Sequence, residues 1–261
     1  MIRADLDALV CDLDGVVYRG DEPVEGSAAA IATLRERGVR LLFLTNNSRS
    51  TVAQYVSKLT ALGVPVEPEE ILTSAVVTAE ELQRRGHAGR TAIVVGGEGI
   101  RDALGSVCIS VKDDTKVTAG DLVVVGWTPD FDYEDMRRAS LAVRKGAKLI
   151  ATNDDASFPA AGGQLWPGAG AILASIERAS GARAEVMGKP HPPMMDAAAR
   201  RLEGARNIAL VGDRPDTDLA GGLARGWTTI LVLSGVTDAA GADQVEPRPD
   251  LIVGSLAELV Q

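Results

Sequence analysis

The sequence predicts an α/β protein built on a parallel sheet, and two observations carry that expectation. Short apolar strands alternate with amphipathic helical stretches along the whole chain. The strands read as continuous apolar runs, the pattern of strands covered on both faces. Ala8 to Leu13 is a strand. Gly26 to Arg37 is a helix with Ala30, Ile31 and Leu34 on one face and Gly38 as its stop. Val39 to Leu44 is the next strand, and Thr51 to Leu62 a helix closed by Gly63. The middle repeats the rhythm, with strands at Thr91–Val95, Leu122–Val125 and Lys148–Ala151 and helices at Tyr133–Lys145 and Gly170–Ala179. A strand at Ala184–Met187 and a helix at Pro193–Leu202 follow. Then come a strand at Asn207–Val211, a helix at Asp218–Arg225, a strand at Thr228–Leu233 and a strand-helix pair over Leu251–Leu259.

Composition narrows the function classes. The chain has 261 residues, 46% of them hydrophobic, enough for one large domain or two smaller ones. A net charge of -9 argues against a nucleic-acid partner. Two cysteines, Cys11 and Cys108, indicate no disulfide framework, and no apolar run approaches a membrane span. Met1 to Asp5 shows no leader pattern, so a reducing, cytoplasmic setting without membrane attachment is expected.

Open parallel sheets bind ligands at the carboxyl ends of their strands, so those ends are the places to search. The first ends in Asp12-Leu13-Asp14-Gly15 and the second in Thr45-Asn46-Asn47-Ser48. The strand at 184–187 ends in Gly188-Lys189-Pro190, and that at 207–211 in Gly212-Asp213, with Asp218 shortly after. Carboxylates, a hydroxyl-amide pair and one lysine would collect on one edge. Two carboxylates ~4 Å apart repel by roughly 4 kcal/mol at an effective dielectric of 20, so Asp12, Asp14 and Asp213 together need protons or a divalent cation. Oxygen-only ligands suit magnesium. Zinc is disfavoured, since the two histidines, His87 and His191, are far apart in sequence. A magnesium ion beside Lys189, Thr45 and exposed amides is a receptor for a phosphoryl group, which a carboxylate attacks in line while a second carboxyl carries the proton.

With these motifs the chain resembles the haloacid dehalogenase superfamily, in particular subfamily IIA, the NagD-like or p-nitrophenylphosphatase-like phosphatases. Asp12-Leu13-Asp14-Gly15, Leu44-Thr45-Asn46-Asn47-Ser48, Gly188-Lys189-Pro190 and Gly212-Asp213 with Asp218 match its four motifs in order. Further similarity lies in Val124-Val125-Gly126, Ala151-Thr152-Asn153 with Asp155, Pro167-Gly168-Ala169-Gly170 and Leu231 to Val236. The resemblance implies a Rossmann-like parallel-sheet core, residues 1–78 and 184–261, with an inserted α/β cap of the C2 type at 79–183.

The resemblance also implies roles. Asp12 is the nucleophile, and Asp14 the general acid/base whose carbonyl meets the metal. Thr45 and the Asn46 amide hold phosphoryl oxygens, and Lys189 binds phosphoryl group and nucleophile. Magnesium sits among Asp12, Asp14, Asp213 and Asp218. Pro215 departs from the apolar residue common in relatives. The expected substrate is a small phosphomonoester, whether sugar phosphate, glycerol 3-phosphate, phosphoglycolate, pyridoxal phosphate or nucleotide, and a homodimer is compatible with the family. A binding protein with a relict site, or a phosphotransferase or phosphomutase of the same fold, are the alternatives.

In the expected cap, Trp127 and Phe158 are candidates for lining the mouth and choosing the leaving group, against ordinary packing. Asp154 and Asp155 read as turn-forming or loop-orienting residues, against a second acid pair. Cys11 reads as a small buried hydrophobe, His87 as a surface residue near a helix end, and His191 as solvated in a Pro-rich turn. Gly96-Gly97-Glu98-Gly99 lacks the full dinucleotide spacing and reads as a βα turn. Glu80-Glu81 and Arg84-Arg85 read as an exposed helix face. Val16-Val17-Tyr18-Arg19 supplies none of the further acids that a calcium loop needs.

Overall fold

The computed structural model describes residues 5–112, 121–159 and 164–261. Contacts gather them into two compact units. One comprises 1–45, 53–72 and 189–261, and the other 46–52 and 73–188. These limits differ from the expected borders at 78/79 and 183/184. The helix Ser74–Arg84 belongs whole to the second unit, where it packs on the helix Glu98–Ser106.

The first unit carries a six-stranded sheet in the order 251–253, 228–232, 208–212, 8–12, 40–45, 71–73. The strand Ala8–Asp12 is central and buried throughout, because Ala8, Leu9, Val10 and Cys11 meet apolar layers on both faces. It pairs in parallel with Arg40–Thr45 on one side, Asp12 opposite Leu44, and with Ile208–Gly212 on the other, Cys11 opposite Val211. The chain first builds outward from the central strand through 40–45 to 71–73, and later returns to its other side. The order therefore reverses between strands 8–12 and 208–212, and such a switch point opens a crevice at the strands' carboxyl ends.

The helix Ser27–Glu36 buries Ala30, Ile31 and Leu34, the face expected from their spacing. A small antiparallel pair, Tyr18–Arg19 with Glu22–Pro23, follows the first strand. It has no counterpart in the expected elements, since two residues are too short a run to show periodicity.

The second unit carries a five-stranded sheet in the order 185–186, 148–151, 122–125, 91–95, 110–111, parallel at every pairing. Its helices Tyr133–Arg144 and Ala169–Ser180 pack on one another over Ile93, Val123, Val125 and Ile176. A hairpin, Ser157–Pro159 with Leu165–Pro167, leaves Leu165 and Trp166 exposed.

One expectation is corrected here. The strand before Gly188 does not join the sheet of Asp12. Glu185 and Val186 pair with Ile150 and Ala151 of the five-stranded sheet. Lys189 thus follows the last strand of one sheet and starts the return into the other unit. Two apolar strands of like composition carry no mark of which neighbour they will choose.

Candidate active site

The carboxyl ends of strands 8–12 and 208–212 flank the switch point, and there the charges gather. Asp12 is the last residue of its strand, and Asp213 follows Gly212 directly. Lys189 reaches in with its ammonium on Asp12 Oδ1, 2.7 Å from Asp218 Oδ1 and 3.3 Å from the Leu44 carbonyl oxygen. Asp12 is 8% exposed, Lys189 3%, Asp213 3% and Asp218 1%. One oxygen from each of Asp12, Asp213 and Asp218 can lie within 4.8 Å of the others. Three buried carboxylates against one buried ammonium leave a formal charge of about two negatives, which a low-polarity interior does not tolerate without a further cation or protons.

Backbone geometry aims these groups. Gly15 has φ +81, and any side chain there would collide with the Asp213 carboxylate. Val236 N–H donates to Asp213 Oδ2 at 2.6 Å, the Thr237 hydroxyl to the Asp213 carbonyl at 2.6 Å, and the Ser234 hydroxyl to the Gly15 carbonyl at 2.7 Å. Residues 234–237 therefore clasp both the first motif and the fourth. Asp218 lies in a wide π-type turn, Pro215–Leu219, in which Leu219 N–H reaches back to Arg214 O. Pro215 occupies the first position of that turn, where no N–H is needed. The bare Cα of Gly212 admits the Asp218 carboxylate, whose Oδ2 accepts from Arg214 N–H at 3.1 Å. Asp218 Oδ1 is buried, and the Lys189 ammonium 2.7 Å away is its counter-charge.

The titrations follow from burial. Desolvation pushes the Asp12 carboxyl well above the ordinary range; Lys189 opposes this, and Asp218 and Asp213 reinforce it. Desolvation, with Asp218 beside it, raises Asp213 to about 6. Burial alone would lower Lys189, but the charges of Asp12 and Asp218 override it and hold the ammonium protonated. Asp14 is open to solvent at the surface, yet enough protein surrounds it that desolvation raises its carboxyl, with Lys58 and Lys189 pulling the other way. Its carboxylate is not one of the three clustered acids.

Thr45 ends strand 40–45 and is buried, with the buried Tyr55 hydroxyl as a hydrogen-bonding partner. The Asn46 side-chain amide donates to Asp155 Oδ2 at 2.8 Å. Asp155 thus has the loop-orienting role expected of it, toward a partner that a sequence separation of 109 residues hid. Trp127 and Phe158 meet edge to face at 5.0 Å, and Trp127 donates its indole N–H to the Pro167 carbonyl at 3.0 Å. Trp166 extends the stack from Phe158 at 6.3 Å, and the Arg49 guanidinium lies 5.6 Å over Trp127. Neither Arg49 nor Trp166 was legible as part of such a group, since each sits in a different segment.

Three lesser expectations change. His87 is 5% exposed, with Nδ1 buried and no partner for it among the described residues. Glu81 is buried under Arg84 and Arg85, which pair with it at 3.1 and 2.7 Å, so that helix face is not fully exposed. His191 is half-buried and stands at the start of the helix Pro192–Arg201. Cys11 is buried, as expected, its thiol on the Asp12 carbonyl at 3.1 Å. The Gly96–Gly99 stretch is the βα turn opening the helix Glu98–Ser106.

A model of haloacid dehalogenase-like hydrolases matches residues 9–109, and a second HAD-hydrolase-like model matches 186–259. An acid sugar phosphatase of Staphylococcus saprophyticus is 36% identical over 255 residues, 97% of this chain and 96% of the relative. The crystal structure of a glycerol phosphate phosphatase from Mycobacterium tuberculosis, in complex with magnesium, superposes with a TM-score of 0.89 at 33% identity, covering 98% of this chain and 76% of that one. NagD from E. coli K-12 superposes with a TM-score of 0.85 at 33% identity, covering 97% and 98%. The chain belongs to the haloacid dehalogenase-like hydrolases and, within them, to the NagD-like phosphatases of subfamily IIA. Among the described residues no helix is long and apolar enough to cross a membrane.

Proposed function

We propose that the protein is a magnesium-dependent phosphatase that hydrolyses a small phosphomonoester through an aspartyl-phosphate on Asp12. The observation that carries this is the buried convergence of Asp12, Asp213, Asp218 and Lys189 at the switch point. A carboxylate pressed against an ammonium, in a cluster still short of positive charge, is arranged for an anionic substrate that arrives with a cation.

Asp12, Asp213 and Asp218, with the Asp14 carbonyl, would hold magnesium, and the three converging carboxylate oxygens with their uncompensated charge fit it. When bound, the ion supplies neutralisation of phosphoryl oxygens. An Asp12 oxygen attacks phosphorus, the bond from phosphorus to the alcohol oxygen breaks, and Asp14 gives its proton to that oxygen. Asp14, now a carboxylate, takes a proton from the water that attacks the acyl phosphate. Inorganic phosphate leaves and Asp12 is regenerated. Desolvation raises the Asp14 carboxyl and so favours the protonated form that a donor needs. Lys189 neutralises the nucleophile's surroundings and the incoming oxygens, and Thr45 with the Asn46 amide orients them.

The second unit acts in this reading as a C2-type cap that excludes water and selects the leaving group, with Trp127 and Phe158 as its aromatic contacts. The substrate proposed is a sugar or glycerol phosphate, a choice supported by the names of the relatives. The test is a panel of phosphometabolites assayed for released phosphate, with and without magnesium. Hydrolysis of sugar or glycerol phosphates that needs magnesium and disappears in Asp12→Asn is expected. Binding without hydrolysis, transfer to an acceptor other than water, or full activity of Asp12→Asn would overturn it.

A further inference from the structure

Asn46, proposed above as part of the phosphate cradle, has its side chain committed elsewhere. Its Nδ2 donates to Asp155 Oδ2 at 2.8 Å, and the same oxygen accepts from Asn153 Nδ2 at 2.6 Å. Asn153 then presents Oδ1 to the Thr152 hydroxyl at 3.0 Å, and that hydroxyl lies 2.9 Å from Ser48 Oγ. Thr152 has one hydrogen, so the consistent arrangement has it donating to Asn153 and accepting from Ser48. The result is a chain, Ser48–Thr152–Asn153–Asp155–Asn46, that leaves the 46–48 loop at one residue and re-enters it two residues earlier. Ser74 adds a hydroxyl bond to the Asn46 carbonyl at 2.6 Å.

The surroundings are shaped to keep this chain in place. Thr152 is fully buried and Asn153 nearly so. The Asp155 carbonyl accepts from Gly170 N–H at 2.9 Å, and a side chain at Gly168 or Gly170 would strike the Asp154–Asp155 carbonyls. A side chain at Gly188 would meet Asn46 Oδ1, and one at Gly126 would meet the Ser48 and Thr152 hydroxyls. Asp155 is the only charged member of the chain, and a carboxylate accepting two amide donors makes the stronger kind of hydrogen bond.

We propose that Asp155 is a positioning residue for phosphoryl binding: its carboxylate holds the Asn46 side chain and so fixes the backbone just after Thr45. The inference rests on the reading that Thr45 and the Asn46 amide hold the phosphoryl group. A loop that must present N–H groups at fixed separations loses affinity when its anchor is freed, because ordering it again costs conformational entropy.

The experiment compares Asp155→Ala, Asp155→Asn, Asn46→Ala and the double variant Asn46→Ala/Asp155→Ala, with Asp12→Asn alongside. Each is assayed for kcat, KM and competitive inhibition by inorganic phosphate, and each is melted. In Asp155→Ala, KM and the phosphate inhibition constant rise together by ~tenfold, with a smaller change in kcat. Asp155→Asn keeps one acceptor oxygen and recovers most of that loss. The double variant is no worse than the poorer single variant, as coupled partners require. Unchanged phosphate inhibition in both Asp155 variants, or additive losses in the double variant, would overturn the assignment. If Asp155→Ala does not fold, Asp155→Asn and the Asn46 variants decide by the same constants. An inactive Asp12→Asn beside unaffected Asp155 variants removes the positioning role alone, whereas an active Asp12→Asn removes the reading on which it rests.

Discussion

The two sheets end in opposite kinds of chemistry. The six-stranded sheet gathers charge: Asp12, Asp213, Asp218 and Lys189 sit buried with more negative than positive groups. The five-stranded sheet ends in a chain of amides and hydroxyls around Thr152 anchored on the single carboxylate of Asp155, followed by the aromatic stack of Trp127, Phe158 and Trp166. In that hydrogen-bonded chain the named donors already have acceptors, so it is fitted for holding shape. In the charge cluster the balance is incomplete, so it is fitted for receiving something. The difference teaches that polar burial has two uses, and that the sum of local charge tells which one is at work.

Changes in the charge cluster should cost far more than changes in the aromatic stack. Asp12→Asn should lose ~10³-fold or more in kcat, measured as released phosphate, because it removes the attacking atom. Lys189→Met should lose roughly 10²- to 10³-fold. It should also lower the melting temperature in chelator, since Asp12 and Asp218 then face one another without their ammonium. A Lys189→Met protein that melts like the parent would show that the cluster's charge is not the strain we take it for.

The pH dependence sharpens the same point. The Asp213 carboxyl stands at about 6 in the folded chain against 3.8 for its ordinary value. A raised carboxyl means that the folded state holds its proton longer than the unfolded state. The resulting penalty is absent below pH ~4, grows as pH rises, and is complete above about 6. Protein stripped with chelator should therefore melt about 5 °C or more lower at pH 7.5 than this group alone would allow at pH 4.5. Magnesium should restore more at the higher pH. A magnesium-induced rise in melting temperature that is equal at both values would contradict this. The smallest effect is expected in the stack. Trp127→Ala should change the ranking of substrates by ~10-fold or less, with a lowered melting temperature, because Trp127 also packs on the core and on Phe158. Selectivity unchanged across the panel would return Trp127 to ordinary packing.

Much of this is legible in the sequence. The central strand is marked by four apolar residues running into Asp12, and Thr45, Lys189 and Asp213 stand as polar residues just beyond an apolar run, with Asp218 five residues after Asp213. Asp155 showed only as one of two adjacent acids in a turn, because its partner Asn46 is 109 residues away. The clasp formed by Ser234, Val236 and Thr237 was equally hidden, since it works partly through a backbone N–H that any residue carries. His87 misled because a histidine beside two arginines looks solvated, and its burial is decided by what packs over it.

The sequence by itself determined the alternation of strands and helices, the family, and the identity of the charged residues, because periodicity, glycine stops and polar strand ends are local properties of the chain. Only the tertiary structure decided which strands became neighbours. It put 185–186 beside 148–151 and 208–212 beside 8–12, and so created the switch point where Asp12 meets Asp213. It also decided that Asn46 would be held by Asp155. Strand pairing and long-range hydrogen bonds depend on which buried surfaces fit together over the whole molecule, and no window of the chain contains that comparison.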